Sequence, residues 1–373
     1  MNQNDTIQFD SLTLDDKYFE RPALLRRCLT KLESPSIPEW EKSICQFILD
    51  WLDPKDSILL KTSGSTGKPK VIQASKAAMV TSARLTQQAF DLKENDKALL
   101  CLPANYIAGK MMIVRAFVCK LNLLTVEPTS DPLGSVSRHF FKFVAMVPLQ
   151  LVHYQKTCSR EQCLSYFRQI DTLLVGGASI SKNTESFIHD LPCKSFHTYG
   201  MTETLSHVAF RRIKPKVTKY TTLPGITVSS NSDNCLVIKT PHLDIGTLKT
   251  NDIAQIHSET EFTLIGRIDN VINTGGIKVH PEVVERKIEA HFKQYPILVF
   301  PSENEKLGQQ VNLAIEAKYD AHIEQQIKAV LQNLKTLNRY DHPKKILFME
   351  RFVYTESGKI QRNKTIQELT KKL

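Results

Sequence analysis

From Pro38 onward, Trp40, Ile44, Phe47, Ile48, Trp51 and Leu52 recur every three or four residues, the spacing that lines one face of a helix with apolar side chains. Residues 1–38 show no such period, with prolines at 22, 35 and 38, and predict no element. A short apolar strand, Ser57–Leu60, runs into a polar loop, and a second apolar pair, Val71 and Ile72, leaves it. Ser75 then stands as an N-cap for a helix carrying Ala78, Met79, Ala83, Leu85 and Phe90. Strand-like runs at Ala98–Leu102, Leu121–Val126, Phe143–Val147 and Thr172–Val175 follow, and helical patterns after Gly109, around Leu151 and after Ser181 separate them. That alternation predicts an α/β domain with a largely parallel sheet. Further on the order changes to helix Pro281–Phe292, strands Ile297–Pro301 and Val311–Ala317, helix Ala321–Leu337 and strand Ile346–Phe352, an α+β arrangement. No internal repeat or low-complexity tract interrupts it.

A chain of 373 residues exceeds one ordinary core, so two domains, or a large one with a small appendage, are expected. The composition, 41% hydrophobic and 24% charged, is that of an ordinary globular protein. A formal net charge of +10 makes polyanions plausible ligands. The basic residues are spread along the chain, which argues for nucleotides and against nucleic acid. Eight cysteines are scattered without a C-x-x-C pair, mostly in apolar runs, and read as buried reduced thiols ahead of a zinc site or a disulfide framework. The polar N-terminus has no apolar leader core, and no apolar run reaches membrane-spanning length, so a cytoplasmic protein without a membrane partner is expected.

Three polar stretches carry candidate chemistry. In Leu60–Ile72, LKTSGSTGKPKVI, Gly64 and Gly67 allow a tight turn, Thr62, Ser63, Ser65 and Thr66 add hydroxyls, and Lys68 and Lys70 add charge, which suits a polyphosphate. It is not a Walker A loop, because Thr62 stands where that motif needs glycine and Pro69 where it needs a hydroxyl. A polar turn would share much of this composition. LLVGGAS, Leu173–Ser179, is a buried strand ending in paired glycines, open either to close approach of a flat ligand or to a plain strand-to-helix turn. SFHTYGMTETLSH, Ser195–His207, crowds Tyr199, hydroxyls and Glu203 beyond a strand end, where ligands of open α/β sheets sit. There a tyrosine can stack on a purine and a carboxylate can hold Mg²⁺ against a phosphate, although an acid at such a position is more often merely solvated.

TSGSTGKPK, YGMTET, GRIDNVINTGGIKVHPEVVE and SGKIQR, in this order, make the chain resemble the acyl-adenylating superfamily of acyl-CoA synthetases, peptide-synthetase adenylation domains and firefly luciferase, over Leu59–Lys364. The resemblance implies a large N-terminal ATP- and acyl-binding domain, 1–268, a small mobile C-terminal domain, 269–373, a hinge at Asp269 and an active site between them. It implies that Thr62, Ser63, Gly64, Ser65, Thr66, Gly67, Lys68 and Lys70 cover the β- and γ-phosphates, and that Gly176, Gly177 and Ala178 form the adenine wall. Tyr199, followed by Gly200 and Met201, would stack on adenine, Thr202 would meet the α-phosphate and Glu203 would bind Mg²⁺. Asp252 and Arg267 would hold the ribose; Thr250-Asn251-Asp252 departs from the Thr-Gly-Asp usual in the family. Gly275, Gly276 and Lys278 would face CoA, and Lys359 would carry adenylation, although a lysine in a basic tail is ordinarily a solvated charge and Arg267 with Asp269 a surface ion pair.

The resemblance also implies the reaction: a carboxylate attacks the α-phosphorus of ATP, pyrophosphate leaves, and a thiol, that of CoA, takes the acyl group from the adenylate. The chain departs from the pattern in its truncated segment before the phosphate loop and in Tyr106, where many relatives have histidine. LPANYIAGKMMIVRA, MVPLQL at Met146–Leu151 and the spacing of Thr202–His207 look most like ligases of an aromatic dicarboxylic acid. Lys110 and Arg115 are then candidates for the second carboxylate, and Tyr106, Ser206 and His207 for the acyl pocket. Another acyl acid, a carrier-protein thiol, or a catalytically degenerate nucleotide-binding module are the alternatives, and a monomer or homodimer is expected. Retention of both Glu203 and Lys359 argues against the module.

Overall fold

The computed structural model describes residues 9–61, 71–136, 139–241, 243, 246–355 and 359–371. The chain divides into two units: Met1–Ser179 with Phe187–Thr227 and Lys239–Leu248, and Ile180–Ser186 with Val228–Ile238 and Lys249–Leu373.

The first unit opens with β1 (Leu12–Leu14) and β2 (Lys17–Phe19), then α1 (Arg21–Glu33) and α2 (Glu39–Leu52). Next come β3 (Ser57–Lys61), β4 (Val71–Ser75), α3 (Lys76–Phe90), β5 (Lys97–Leu100), α4 (Ile107–Cys119) and β6 (Asn122–Thr125). β7 (Phe141–Met146), α5 (Pro148–Thr157), α6 (Arg160–Phe167), β8 (Ile170–Val175), α7 (Lys182–His189), of which Lys182–Ser186 belongs to the second unit, β9 (Lys194–Gly200), β10 (His207–Arg212) and β11 (Tyr220–Thr222) follow. The strand order is β11-β10-β9-β8-β7-β5-β6-β1-β2. From β9 across to β1 every pairing is parallel, and β10, β11 and β2 are antiparallel at the margins. The parallel α/β expectation therefore holds, and the apolar runs at β5, β7 and β8 are the buried central strands such a sheet requires.

Local chemistry explains several boundaries. α2 buries Ile44, Phe47, Ile48, Trp51 and Leu52, the stripe read from its period. Ser75 caps α3, its hydroxyl accepting the Ala78 N–H at 3.0 Å. The β1–β2 turn uses Asp15 and Asp16 at φ 52° and 63°, the backbone form that a two-residue hairpin turn demands. That hairpin, α1 and α6 have no counterpart in the hydrophobic pattern, because their strands are three residues long and each helix buries only two side chains. α4 is the opposite case, with Met111, Met112, Ile113, Val114, Ala116 and Phe117 all within 1% of full burial. At about 1.5–3 kcal/mol for each large apolar side chain removed from water, this helix is a main contributor to the core, and a charge within it is an anomaly.

β12 (Thr227–Ser230), β13 (Cys235–Thr240), β14 (Gly246–Ser258) and β15 (Glu261–Arg267) are neighbours in that order, β14 and β15 pairing antiparallel. After a 3₁₀ turn at Ile268–Asn270 come β16 (Ile272–Thr274), β17 (Ile277–Val279), α8 (Pro281–Glu289), β18 (Ile297–Asn304), β19 (Gly308–Glu316), α9 (Ala321–Asn333), β20 (Ile346–Met349) and α10 (Arg362–Thr370). β17-β16-β19-β18 is the strand order, and β20 lies parallel to β19. α8 and α9 bury Val284, Ile288, Ile323, Ile327 and Leu331 against β18 and β19, so the second half is α+β as the pattern predicts. Cys28, Cys45, Cys101, Cys119, Cys163, Cys193 and Cys235 are buried free thiols, as expected of cysteines in apolar runs. Among the described residues no helix is long and apolar enough to cross a membrane, and no group of three or more His, Cys, Asp or Glu could hold a metal ion.

Candidate active site

In the first unit the candidate residues cluster where β8 and β9 end. β8 delivers Gly176, Gly177 and Ala178 to a loop in which Gly177 has φ +86°, a region closed to most side chains. β9 ends at Gly200, and the chain returns so tightly into β10 that a Cβ on Gly200 would lie 2.2 Å from the Ser206 carbonyl oxygen. Fully buried Thr204 ties this turn, its hydroxyl accepting the Met201 N–H at 2.9 Å and donating to the Ser206 carbonyl at 2.8 Å. Thr202 and Glu203 are half-buried on the turn, and no described protein group engages the Glu203 carboxylate. Tyr199 is buried, its ring 6.2 Å from that of Tyr220. A magnesium ion takes one or two carboxylates together with phosphate oxygens and water, so a single unengaged acid beside hydroxyls fits that ion.

Arg115 is the buried charge of α4. It is 3% exposed, its NH2 donates to Ser206 Oγ at 2.6 Å and lies 3.5 Å from His207 Nδ1, and its NH1 is 3.8 Å from Met112 Sδ. The Phe143 ring lies 6.0 Å from the guanidinium, and Phe90 lies edge-on to His207 with ring centroids 6.0 Å apart. Among the described residues no carboxylate reaches this guanidinium, and both its Nε and His207 Nε2 are buried without a hydrogen-bond partner. Burial pushes the Arg115 pKa down to about 10. Burial, and secondarily the Arg115 charge, holds His207 well below the usual histidine range, so the imidazole is neutral at pH 7. Lys110, five residues earlier, lies over the Phe47 ring at 4.5 Å, and Tyr106 is the N-cap residue of α4.

The second unit holds the other constellation. Asp252 on β14 and Arg267 on β15 are cross-strand partners, with Arg267 NH1 donating to Asp252 Oδ1 at 3.1 Å and NH2 to Asp269 Oδ2 at 2.7 Å. Asn251, the departure from the family pattern, donates to both Asp269 carboxylate oxygens at 3.1 and 3.2 Å. Lys359 lies beside the β-bridge between Tyr354 and Ile360, its N–H donating to Thr355 Oγ1 at 2.9 Å and its carbonyl accepting the Thr355 N–H at 2.8 Å. Burial first, and then the Arg267 charge, lowers the Lys359 pKa against the opposing pull of Asp252, so this ammonium is no solvated tail charge. Arg362, three residues on, donates to Glu285 Oε2 at 3.1 Å and to the Val299 carbonyl at 2.6 Å, which anchors the chain after Lys359 on α8 and β18. Gly275 and Gly276, at φ +57° and +79°, form the two-residue turn between β16 and β17, and Lys278 is exposed on β17.

The structure thus brings Arg115, Ser206 and His207 together in one unit and Asp252, Arg267, Asp269 and Lys359 in the other. Thr62–Lys70 lies outside the described residues, although its flanking strands pair in register with Lys61 opposite Val71. Sequence reading passed over Thr204, His197 and Tyr220. His197 had a signal, standing two residues before Tyr199 on a strand and hence on the same face; Tyr220 had none, because it comes from a different strand.

Residues 22–234, more than half of the chain, match the AMP-binding enzyme family. The 2-succinylbenzoate–CoA ligase of Listeria monocytogenes serovar 1/2a is 24% identical over 340 residues, 84% of this chain and 70% of that one. A crystal structure of an acyl-CoA synthetase (AMP-forming)/AMP-acid ligase II-like protein from Dyadobacter fermentans is 33% identical, covering 92% of this chain and 97% of that one with a TM-score of 0.58. The O-succinylbenzoate coenzyme A synthetase of Bacillus subtilis, solved with ATP and a magnesium ion, is 21% identical, covering 83% of this chain and 69% of that one with a TM-score of 0.68, a likeness of fold.

Proposed function

Because the chain belongs to the AMP-binding enzyme family, an AMP-forming acyl-CoA ligase by its relatives, we propose that it activates 2-succinylbenzoate with ATP and passes the acyl group to CoA, a step of menaquinone biosynthesis. The observation that carries the choice of acid is Arg115: a guanidinium buried in an apolar helix, without a carboxylate from the described residues, beside a neutral histidine whose Nε2 is also unpartnered. Such a group is costly unless something anionic meets it, and a dicarboxylic substrate has a carboxylate to spare. A fatty acid has none.

In this reading one carboxylate oxygen of the acid bonds to the α-phosphorus of ATP as the bond to pyrophosphate breaks. The CoA sulfur then bonds to the acyl carbon, AMP leaves, and the thiol proton passes to solvent. Tyr199 and the Gly176–Ala178 loop take the adenine, Thr202 the α-phosphate, and Asp252 with Arg267 the ribose hydroxyls. Lys359, its backbone held by Thr355, places an ammonium where charge develops during adenylation. Glu203 would hold Mg²⁺, which supplies charge neutralisation for the departing pyrophosphate. Asp269 is assigned the hinge between domains 1–268 and 269–373, and Gly275, Gly276 and Lys278 the CoA side. The phosphate loop Thr62–Lys70 completes the assignment.

The test is acid-dependent pyrophosphate release from MgATP and CoA, comparing 2-succinylbenzoate with benzoate, succinate and a medium-chain fatty acid, for the wild type and Lys359→Ala. Turnover with succinylbenzoate alone, lost in the variant, is expected. Turnover with another acid keeps the ligase chemistry and removes Arg115 from the acyl site; ATP binding without turnover on any acid favours a nucleotide-binding module.

A further inference from the structure

The loop assigned to adenine is held from behind by side chains that no catalytic step uses. His197, on β9, is 8% exposed, and its Nε2 lies 3.1 Å from the Ala178 carbonyl oxygen. A carbonyl oxygen only accepts, so Nε2 carries the proton, and in the neutral imidazole, which the nearby Arg211 charge favours, Nδ1 has the lone pair. Tyr220, 4% exposed on β11, brings its hydroxyl to 2.7 Å from that Nδ1 and is the donor. The hydrogen bonds therefore run in one direction, Tyr220 to His197 to Ala178, and fix a single tautomer. Arg211 on β10 adds a third neighbour, its NH2 3.5 Å from the same Nδ1 and its guanidinium 5.5 Å from the Tyr220 ring centre. Tyr220 also meets Tyr199 edge-on, so one ring touches both the residue assigned to stack on the base and the histidine that grips the loop.

We propose that His197 and Tyr220 are positioning residues of the adenine site, setting the Ala178 carbonyl and the Gly176–Ala178 backbone at a fixed height opposite Tyr199. The inference rests on the assignment of that loop and of Tyr199 to adenine. Its physical basis is the loop itself. A segment with two glycines has a large conformational freedom to lose, and fixing it before the ligand arrives lowers the entropy cost of binding. Because the described hydrogen bonds of the relay end on the backbone of the base-binding loop, its removal acts on nucleotide affinity and leaves affinity for the acid alone.

The experiment uses the full chain and the variants His197→Leu, His197→Gln and Tyr220→Phe, with AMP affinity measured by calorimetry, and KM for ATP, KM for the acid and kcat measured by pyrophosphate release. Leucine is expected to weaken AMP binding and raise KM for ATP about tenfold, the worth of one well-aligned buried hydrogen bond, with KM for the acid within about twofold. Glutamine, which can donate to Ala178 and accept from Tyr220, is expected to recover most of the loss. Phenylalanine at 220 is expected to cost about threefold. AMP affinity within twofold of wild type in both His197→Leu and Tyr220→Phe overturns the relay, as does an equal rise in KM for ATP and for the acid, the mark of general packing damage. If the leucine variant does not fold, glutamine at wild-type affinity with phenylalanine weakened supports the relay, and any other pattern of these two overturns it. A wild-type protein that binds no AMP removes the adenine assignment and the relay together, whereas normal wild-type binding with unaffected variants removes the relay only.

Discussion

Replacing Arg115 with methionine, a neutral side chain of similar length, separates a substrate-binding guanidinium from a structural one. Burial lowers the Arg115 pKa from the ordinary arginine value to about 10, which at ~1.4 kcal/mol per unit puts the cost of charging it in the folded protein at about 3 kcal/mol. A base with a depressed folded-state pKa destabilises the fold wherever the pH is below that pKa, and the cost is relieved only as pH rises from about 10 toward its ordinary value. The whole cost is therefore present at neutral pH. Methionine removes it and gives up the 2.6 Å bond to Ser206, worth about 1–1.5 kcal/mol, while the Ser206 hydroxyl keeps His207 Nδ1 at 3.3 Å as an alternative partner. Stability in urea denaturation should thus stay level or rise by about 1–2 kcal/mol, in contrast to the loss of about 3–5 kcal/mol that follows when one partner of a buried ion pair is removed. Catalysis should move the other way. A carboxylate that meets the buried guanidinium offsets its charging cost, so kcat/KM for 2-succinylbenzoate should fall about 10²-fold, with AMP affinity unchanged. The comparison that decides it uses the two analogues that each lack one carboxylate: the analogue missing the group that meets Arg115 should react equally with both proteins. Equal losses on the dicarboxylate and on both analogues, or a drop in stability of several kcal/mol, would refute the assignment.

Lys359 must be charged to act, and its pKa is lowered by burial and by Arg267. Adenylation should accordingly be full at neutral pH and decline as pH rises through a value below the ordinary lysine range; Lys359→Ala should lack that basic limb and adenylate at least about 10²-fold more slowly, while thiol transfer from preformed acyl-AMP persists. Glu203→Gln should raise the Mg²⁺ concentration for half-maximal rate about tenfold and leave Tm within a degree or two, read by a magnesium titration beside a melting curve. Burial, and secondarily Glu285, raises the Glu289 carboxyl to about 7, so its charge costs stability above that pH and the cost fades as pH falls toward the ordinary carboxylate value. Glu289→Gln should raise Tm by a few degrees at pH 8 and have little effect at pH 5; an equal shift at both pH values counts against the ionisation argument.

The amphipathic stripe of α2, the cap at Ser75 and the buried parallel strands β5, β7 and β8 were legible because each depends on residues a few positions apart, where periodicity and capping chemistry act. α1, α6, α10 and the strands from β10 to β15 were not, since their short or weakly patterned segments acquire structure from the neighbours they pair with. The candidate site divides the same way. Motif order named Tyr199, Glu203, Asp252, Arg267 and Lys359, but nothing local distinguishes Arg115 from any arginine on a helix. Its meaning comes from Ser206 and His207, 91 and 92 positions away, and from its burial without a carboxylate among the described residues. Lys359 likewise reads as a tail lysine until folding buries it within reach of the charges of Arg267 and Asp252. His197 is one more buried histidine until Tyr220 and Ala178 select its tautomer. Desolvation and hydrogen-bond partnership are properties of groups brought together from distant parts of the chain, so only the tertiary structure decides which of the legible residues is charged, neutral or held in place.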